Sequence, residues 1–472
     1  MASEQRRRAI VLVLDRLGSG YLGPYGNTWL ETPVLNDLAS HALLLEQTVV
    51  TSTDLADLYR QLWAGIFPSA LHPVPAAGDA AETTPAASAE SSACLQDLLG
   101  CQGRVTRLVT DEPTAGEWPA VDRFHFAQHL LHERLVSADP ADAETLEDAD
   151  QAASAHDACA EEYLELAEEP EWTGMAQLMA AATEAFEQPD WDLLWIHARA
   201  MNGPWDAPDG FRLQFGDEED PDPPMGADPP AGPLPADMDP DWLQGWIWAY
   251  GGQVELADWC LRPLYERWRE APEPILWIVL GARGYALGEH GHVGGSATRL
   301  HSELLQVPFL IASNQWCDTQ ARSQTLVQPA HLRATLLDWF QIPPPPGDWA
   351  DSLLPWWQGD ADELAAADAS AFPPLVVARQ GSEWALRTPA WHACLRPLQP
   401  AEDTGELPQV ATDWACELYF KPDDRWDCND VAARCESVVA AFLELRKRLE
   451  DAAHGVDPGG RELDPLLLHG LE

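Results

Sequence analysis

Six consecutive apolar residues near the amino terminus, Ala9 to Leu14, are followed directly by the carboxylate of Asp15. Three arginines precede the run, but it is too short for a secretory signal and has no small-residue cleavage site. An uninterrupted apolar run of this length is typical of a strand that is buried on both faces of a parallel sheet. We therefore predict a buried strand over residues 9–14 with an acidic side chain at its carboxyl end.

Further apolar runs alternate with helical patterns along the chain. Strands are predicted at 105–109, 192–197, 274–280 and 307–312, and helices at 33–41, 93–99, 173–187 and 242–269, with Thr32 and Thr173 as candidate caps. This alternation indicates an α/β fold of the doubly wound type, with a mostly parallel sheet flanked by helices. Ligands bind at the carboxyl ends of the strands in such sheets, where Asp15, His197, Ala282 and Arg283 fall.

Four consecutive prolines at 343–346 indicate a boundary between two domains. The predicted domains are a large one over residues 1–345 and a smaller α+β one over residues 346–472. In the smaller domain, strands are predicted at 374–396 and 415–421 and a closing helix at 430–451. Three segments lack a regular pattern and are predicted to be irregular, namely 73–93, the acidic stretch 138–171 and the Pro- and Asp-rich stretch 216–241.

The charge balance excludes some partners. Lys and Arg number 28 against 77 Asp and Glu, which gives a formal charge of -49. Nucleic acid and anionic membrane surfaces are therefore unlikely partners, because both require clustered positive charge. The nine cysteines form no CxxC pair, and no stretch approaches 18 apolar residues. These features favour reduced thiols in a cytoplasmic protein without a membrane span.

Three blocks of sequence resemble the sulfatases of the alkaline-phosphatase superfamily. The first combines the strand ending at Asp15 with YGN at 25–27 and TPVLNDLA at 32–39. The second is GYALGEHG at 284–291 followed by LHSELLQVPFLI at 300–311, which is similar to the family's GExLGEHG and LYEExxxVPLI. The third is LRTPAW at 386–391 with ELY at 417–419 and PDD at 422–424. The blocks occur in the family's order over nearly the whole chain, so the resemblance implies the alkaline-phosphatase-like fold.

The resemblance also implies a mechanism. Sulfatases hold a divalent cation, usually Ca²⁺, with an acidic pair on the first strand and an Asp-His or Asp-Asn pair on a later strand. A Cys or Ser is oxidised to formylglycine, which attacks the sulfur, while Lys and His residues neutralise the sulfate. Attack on such a charged group requires concentrated positive charge and a metal-held nucleophile.

Most of these positions hold other residues in this chain. Alignment on the family motifs places Leu55 at the nucleophile and Tyr59 at the motif arginine. Arg16 stands at the position of the second acid, and Ala282 and Arg283 stand at the positions of the later metal pair. The segment that carries the lysine and the histidine in the family reads Asp111-Glu112 here. Met201-Asn202 occupies the position of a further family histidine. Asp15 alone matches a metal carboxylate, as a vestigial ligand, and one carboxylate is not enough for an oxygen-ligand cation. We therefore expect no metal and no formylglycine cofactor.

Several alternatives remain open for these residues. Arg16 and Arg283 either pair with Asp15 and fill the vacated metal volume, or bind an anion together with His197 and Asn202. Ser52 and Thr53 are weak candidates for a displaced nucleophile. The histidines at 290 and 292 invite a metal interpretation, but two histidines alone are a poor site. The tryptophans at 205, 242, 246 and 248 are expected to pack in the core, with a sugar-stacking platform as the alternative.

The leading prediction is a catalytically inactive sulfatase homologue that acts in binding or regulation. Its partner would be an anionic or sulfated small molecule or a glycan. The alternative is an active hydrolase of sulfuric or phosphoric esters with a rewired site. Family membership alone does not decide between them, because function depends on the site.

Overall fold

The computed structural model describes residues 6–65, 93–130, 169–217, 220–224, 228–295, 299–315, 320–345, 348, 350–358, 375–398, 414–452 and 463–469. The predictions for most of the segments 73–93 and 138–171 therefore lie outside the described residues. Within the described helices, none has the length and hydropathy needed to cross a membrane.

The strands of the described ranges form three sheets. They are β1 (Arg8–Leu14), β2 (Ala42–Val49), β3 (Thr106–Thr110), β4 (Phe126–His129), β5 (Leu193–Ala198), β6 (Gly232–Pro233), β7 (Ile275–Gly281), β8 (Ala286–Leu287), β9 (His292–Gly294), β10 (Gln306–Ser313), β11 (Ala321–Val327), β12 (Val376–Gln380), β13 (Glu383–Arg387), β14 (Trp391–Pro397) and β15 (Trp414–Phe420). The predicted strands are confirmed to within one or two residues.

The α-helices of the described ranges separate these strands. They are α1 (Pro33–Ala39), α2 (Leu55–Ala64), α3 (Leu95–Cys101), α4 (Gly174–Glu187), α5 (Asp209–Arg212), α6 (Pro240–Glu270), α7 (Ser302–Leu305), α8 (Ala330–Trp339), α9 (Leu354–Gln358), α10 (Glu436–Ala452) and α11 (Pro465–Leu468). The closing helix begins at Glu436 rather than at residue 430, because residues 432–434 form a separate 3₁₀ turn.

The main sheet has eight strands in the order β11-β2-β10-β7-β1-β5-β3-β4. Strand β1 lies at its centre and is parallel to both β5 and β7. Strand β10 is antiparallel to its neighbours β7 and β2. Its direction differs from the others because the chain between β7 and β10 returns at the same edge of the sheet, and the four-residue α7 is the only α-helix among the described residues of that connection. The prediction of a mostly parallel, doubly wound sheet is confirmed.

Burial on both faces explains the apolar composition of β1. Ile10 and Leu12 face a core formed with α1, α4 and α6, whereas Val11 and Val13 face a core formed with α2, α3, α8 and α9. Successive side chains of a strand point to opposite faces. Helices therefore cover both faces of the sheet, and the carboxyl edge of its central strands remains for polar groups.

The two predicted helix caps behave differently. The Thr173 hydroxyl accepts a hydrogen bond from the Ala176 N–H, as predicted. The Thr32 side chain does not cap α1. Instead, the Asp258 carboxylate on α6 accepts from the N–H groups of Val34 and Leu35 at 3.0 and 2.8 Å. A cap from a distant helix satisfies the same exposed donors but leaves no local signature in the sequence.

The four-stranded antiparallel sheet β12-β13-β14-β15 follows the large sheet in the chain. Val376 on β12 joins the second core of the large sheet, whereas Val377 joins a separate core with α10. Buried polar contacts also cross between the two sheets, including the Arg387 guanidinium on β13, which donates to Gln47 Oε1 on β2 at 2.8 Å. The small sheet is thus packed between the large sheet and α10. The division at residues 345 and 346 remains a prediction.

Part of the segment 216–241 forms a β-strand, although its composition predicted an irregular stretch. Strand β6 lies within it and pairs with β9, which belongs to the loop after β7. This pairing holds the segment beside the carboxyl edge of the large sheet.

Candidate functional site

The register of the three central strands brings the candidate site residues together. Leu14, the last residue of β1, lies opposite Ala198 on β5 and Gly281 on β7. The residues that follow β1 and β7 therefore meet at one edge of the sheet, beside His197 on β5. The site forms there because parallel strands end on the same side.

A bidentate ion pair between Asp15 and Arg283 occupies the centre of this edge. Arg283 Nε donates to Asp15 Oδ1 and Nη2 donates to Oδ2, both at 2.9 Å. The Asp15 side chain is fully buried and the Arg283 side chain is 13 % exposed. Burial alone would raise the pKa of Asp15, but the charge and hydrogen bonds of Arg283 outweigh it and hold the pKa below its ordinary value. The predicted pairing of Asp15 with Arg283 is confirmed, and the carboxylate is ionised at neutral pH.

Arg283 is held by a third contact as well. Its Nη1 donates to the carbonyl of Thr53, in the turn before α2, at 2.6 Å. Each of the three guanidinium nitrogens thus donates to the protein itself. The side chain joins the ends of β1 and β7 to the amino terminus of α2.

Arg16 does not pair with the Asp15 carboxylate through its side chain. Its guanidinium turns into the loop after β7, where Nη1 donates to the carbonyls of Gly284 at 3.2 Å and Gly295 at 3.0 Å. A Cβ at Gly295 would lie 1.9 Å from Arg16 Cζ, so this position has room for no side chain. The Arg16 backbone is left-handed, with φ of 61°. Burial lowers the pKa of Arg16 to about 10, so it still carries a charge at neutral pH.

The amino terminus of α2 presents an aliphatic side chain at the predicted nucleophile position. Leu55 is the first residue of the helix and is buried in the second core. The preceding Asp54 caps the helix by accepting from the Asp57 N–H at 3.0 Å. The Ser52 hydroxyl accepts from the Asp54 N–H at 3.0 Å, and the Thr53 carbonyl accepts from Arg283. Both residues therefore support the turn before α2.

Tyr59, at the predicted position of the motif arginine, pairs with His197. The Tyr59 hydroxyl lies 2.6 Å from His197 Nδ1, and its ring stacks on Trp118 at 4.0 Å between centroids. Burial lowers the pKa of His197 to about 4, so the imidazole is neutral. His197 Nε2 is fully buried and has no hydrogen-bond partner among the described residues.

Acidic residues after β3 complete the site. Asp111 Oδ1 accepts from the Arg199 N–H at 2.8 Å, and Glu112 Oε2 lies 3.6 Å from Arg199 Nε. Burial raises the pKa of Asp111 to about 7. Ligand atoms of Glu112, Asp15 and His197 lie within 4.8 Å of one another. The edge therefore carries three arginines and three acids, and its charges largely offset one another.

The sulfatase family profile matches residues 7–342 of this chain. The chain belongs to the sulfatase family. No curated protein sequence matches it.

Several solved structures share the sulfatase fold with this chain at low sequence identity. A putative sulfatase from Bacteroides thetaiotaomicron VPI-5482 is 15% identical, with a TM-score of 0.62 over 97% of this chain and 94% of that one. A phosphonate monoester hydrolase of Agrobacterium radiobacter is 14% identical, with a TM-score of 0.61 over 95% and 96%. A third protein, solved in complex with its substrate D-glucosamine-2-N,6-O-disulfate, is 13% identical, with a TM-score of 0.64 over 97% and 100%. At these identities the likeness establishes the fold alone.

The residues of this edge do not fit the Ca²⁺ site that sulfatase membership implies. Ca²⁺ takes six to eight oxygen ligands. Both oxygens of Asp15 are bonded to Arg283, and neither Ala282 nor Arg16 offers a side-chain oxygen. Glu112 and His197 lie close to Asp15, but the Arg283 guanidinium adjoins the same carboxylate and would repel a cation. No step through a metal or a formylglycine is derived for these residues.

Sequence reasoning identified part of this site. It placed Asp15, Arg283 and His197 at one edge, and the structure brings all three together. Among the described residues, no hydrogen bond joins Asn202 to these three side chains. Asn202 ends the 3₁₀ turn after β5, and its N–H donates to the Arg199 carbonyl. The roles of Glu112 and Arg199 were missed, although both follow strands that end at this edge.

Two of the four tryptophans considered as a sugar platform belong to the core. Trp205 and Trp246 are buried, and their rings pack edge to face at 5.4 Å. Trp242 is 45% exposed. The expected core packing is therefore confirmed for Trp205 and Trp246.

Removal of the guanidinium should strongly destabilise the fold. In Arg283→Met, the Asp15 carboxylate would be buried without its partner, and we expect the free energy of unfolding to fall by about 3–5 kcal/mol. The double variant Asp15→Asn/Arg283→Met should recover part of this loss, because no charge is left uncompensated. Urea unfolding of both variants and of Asp15→Asn gives the coupling energy. Equal losses in Arg283→Met and the double variant would contradict the account of the pair.

The raised pKa of Asp111 should make stability depend on pH. Between the ordinary pKa of about 3.9 and the folded value of about 7, the folded state binds the proton more tightly than the unfolded state. This contribution therefore weakens the fold as pH rises through that window, by at most about 1.4 kcal/mol per pH unit. Asp111→Asn keeps the acceptor oxygen and should gain stability relative to the unmodified protein as pH rises from 4 to 7.

Urea unfolding at several pH values measures this difference, and Asp122→Asn, at an exposed aspartate, is the control. A difference that is constant with pH, or that is the same for both variants, would show that Asp111 is not the responsible group.

Proposed function

We propose that this sulfatase-family protein does not hydrolyse sulfate esters and acts instead in binding or regulation. The observation that carries the proposal is Leu55 at the first residue of α2, where the family motifs place the nucleophile. An isobutyl side chain cannot be oxidised to formylglycine and cannot attack sulfur. The Asp54 carboxylate also caps the amino terminus of α2, where free N–H groups would otherwise be available to an anion.

The electrostatics of the edge support the same proposal. Stabilisation of a sulfuryl transition state requires uncompensated positive charge. Here Arg283 is neutralised by Asp15, and Arg199 adjoins Glu112. Of the three arginine guanidiniums, only that of Arg16 then has no acidic side chain as an ion-pair partner among the described residues.

The alternative is an active ester hydrolase with a rewired site. The hydroxyls of Ser52 and Thr53 are the nearest candidates for its nucleophile, because they precede α2 directly. The Ser52 hydroxyl already supports the turn, because it accepts from the Asp54 N–H at 3.0 Å and lies 3.5 Å from Asp57 Oδ2. We therefore favour the non-hydrolytic proposal.

Turnover decides between the two. We expect no hydrolysis of p-nitrophenyl sulfate, p-nitrophenyl phosphate or a phenyl phosphonate ester above the buffer rate, with or without added Ca²⁺, Mg²⁺ or Mn²⁺. The variants Asp15→Asn and Ser52→Ala should give the same rate as the unmodified chain. Turnover that is lost in Asp15→Asn would overturn the proposal, and turnover lost in Ser52→Ala would identify the nucleophile.

The proposed ligand is an anionic or sulfated small molecule or a glycan. Arg16 supports this idea most directly, because its described side-chain hydrogen bonds all come from Nη1. Its Nε and Nη2 have no acceptor among the described residues. The solved relative that binds D-glucosamine-2-N,6-O-disulfate shows that this fold can accept such a molecule. Of the other residues predicted for this subsite, His197 offers a buried Nε2 without a partner among the described residues, whereas Arg283 already donates to Asp15 and Thr53. A cytoplasmic location remains part of the proposal.

Anion binding should appear as a rise in melting temperature. We expect inorganic sulfate and p-nitrophenyl sulfate to raise the melting temperature in a saturable way, and Arg16→Gln to abolish the rise. Arg123→Gln, at an exposed arginine, is the control for general ionic effects. A rise that is equal in both variants, or no rise at all, would remove the anion subsite but would leave the turnover result unaffected.

A further inference from the structure

A second cluster of titratable side chains lies away from the Asp15 edge, where the loop after β7 meets the small sheet. It consists of His290, His301 and Glu303. His290 lies in a 3₁₀ turn and has a left-handed backbone with φ of 51°. His301 directly precedes α7, and Glu303 lies within it. The two imidazole rings stack with centroids 3.7 Å apart and an interplanar angle of 5°.

The hydrogen bonds of the two histidines fix their tautomers. His290 Nε2 lies 2.9 Å from the Asp427 carbonyl oxygen, which can only accept, so Nε2 carries the proton. His301 Nε2 lies 2.9 Å from Glu417 Oε2, and the Arg299 guanidinium donates to Oε1 of the same carboxylate at 3.0 Å. A carboxylate paired with an arginine accepts hydrogen bonds, so His301 Nε2 donates to it. In the neutral form, both histidines then have their lone pair on Nδ1.

Both Nδ1 atoms face the same carboxylate. Glu303 Oε1 lies 2.9 Å from His290 Nδ1 and 3.9 Å from His301 Nδ1. The His301 side chain is fully buried, and neither its Nδ1 nor Glu303 Oε2 has a hydrogen-bond partner among the described residues. Unpaired buried polar atoms cost free energy, so two of them in one cluster, whose ligand atoms lie within 4.8 Å of one another, require an explanation.

We propose that His290 Nδ1, His301 Nδ1 and the Glu303 carboxylate bind a divalent transition-metal ion, with Zn²⁺ as its representative. Two imidazoles and one carboxylate are a ligand set that suits Zn²⁺ rather than Ca²⁺. Metal-ligating histidines almost always donate their other N–H to a carboxylate or a carbonyl, which is the role of Glu417 and Asp427 here.

Binding requires the two imidazole rings to move. A metal ion lies in the plane of each imidazole that ligates it, so the two rings must splay from their parallel stack. The His290 side chain is 18% exposed, so this side of the cluster is the one that solvent reaches.

A proton is the competing occupant of this site. Burial lowers the pKa of His290, but the hydrogen bond and charge of Glu303 outweigh it and raise the pKa to about 9. The ion must therefore displace a proton from His290.

The site would connect the two sheets. His290 and His301 belong to the loop between β7 and β10, whereas Glu417 lies on β15 and Asp427 follows it. The resembling family pattern has a tyrosine where this chain has His301, so the ligand set is a property of this chain. The proposed ion stabilises the packing of the small sheet and is independent of turnover at the Asp15 edge.

The test measures Zn²⁺ binding by the full chain. Protein stripped with dipicolinate is titrated with Zn²⁺ against a chromophoric chelator, and bound metal is counted after desalting. We expect one Zn²⁺ per chain, loss of this ion in His301→Phe and Glu303→Gln, and retention in His129→Gln, at an exposed histidine. Glu417→Gln should weaken binding by about 10–100-fold, because it acts through His301.

Co²⁺ provides a second readout. The Co²⁺-loaded chain should show visible absorption bands from nitrogen and oxygen ligands, and these bands should be absent in His301→Phe but present in Glu417→Gln at higher Co²⁺ concentration. If a variant does not fold by circular dichroism, X-ray absorption of the unmodified Co²⁺ protein decides by counting imidazole ligands. An unmodified chain that retains no ion, or variants that retain as much as it does, would overturn the proposal.

Discussion

A fully buried carboxylate at the end of the central strand is the constraint on which the candidate site depends. Asp15 follows β1, which is covered by helices on both faces, and its charge cannot reach water. A buried charge must be paired or it must be neutralised by a proton. In the resembling enzymes the partner is a metal ion, whereas here it is the guanidinium of Arg283, with two hydrogen bonds of 2.9 Å. The planar guanidinium fits a carboxylate in a way that a lysine ammonium could not. Once it is in place, the neighbouring residues no longer need to be metal ligands.

The charged residues around Asp15 form pairs of opposite sign. The alignment predicted from the sequence puts arginines at metal-binding positions of the family, and acids after β3 in the segment of a lysine and a histidine. Glu112 near Arg199 repeats, on the other side of β5, the pairing of Asp15 with Arg283. Under the proposed loss of sulfate-ester hydrolysis, the charges of the site are exchanged while the strands that position them stay those of the sulfatase fold.

The sequence predicts most of the large sheet because its central strands are short apolar runs between helices. It also predicts the convergence of Asp15, His197 and Arg283, since that follows from parallel strands ending at one edge. It could not predict the direction of β10, which depends on how a loop returns, or the cap of α1, which Asp258 supplies from α6. The association of His290 with His301 was missed for a similar reason. The sequence suggested His290 and His292 as neighbours, but the turn at 289–291 and the helix α7 bring His301 and Glu303 to His290 instead.

The contact between the two sheets has a consequence for how the chain can be divided. Arg387 and Val376 extend from the small sheet into the interior of the large one, and the Ser302 N–H donates to the Asp427 carboxylate at 2.7 Å. A fragment that ended at the proline run would leave Gln47 and Ser302 without these partners and would expose apolar surface. The two sheets therefore share buried contacts, and the division at the proline run remains a prediction. The two sheets should therefore unfold together in one cooperative transition. A chimera that joins this small sheet to the large sheet of another family member would need the partners of these buried polar contacts in both parts.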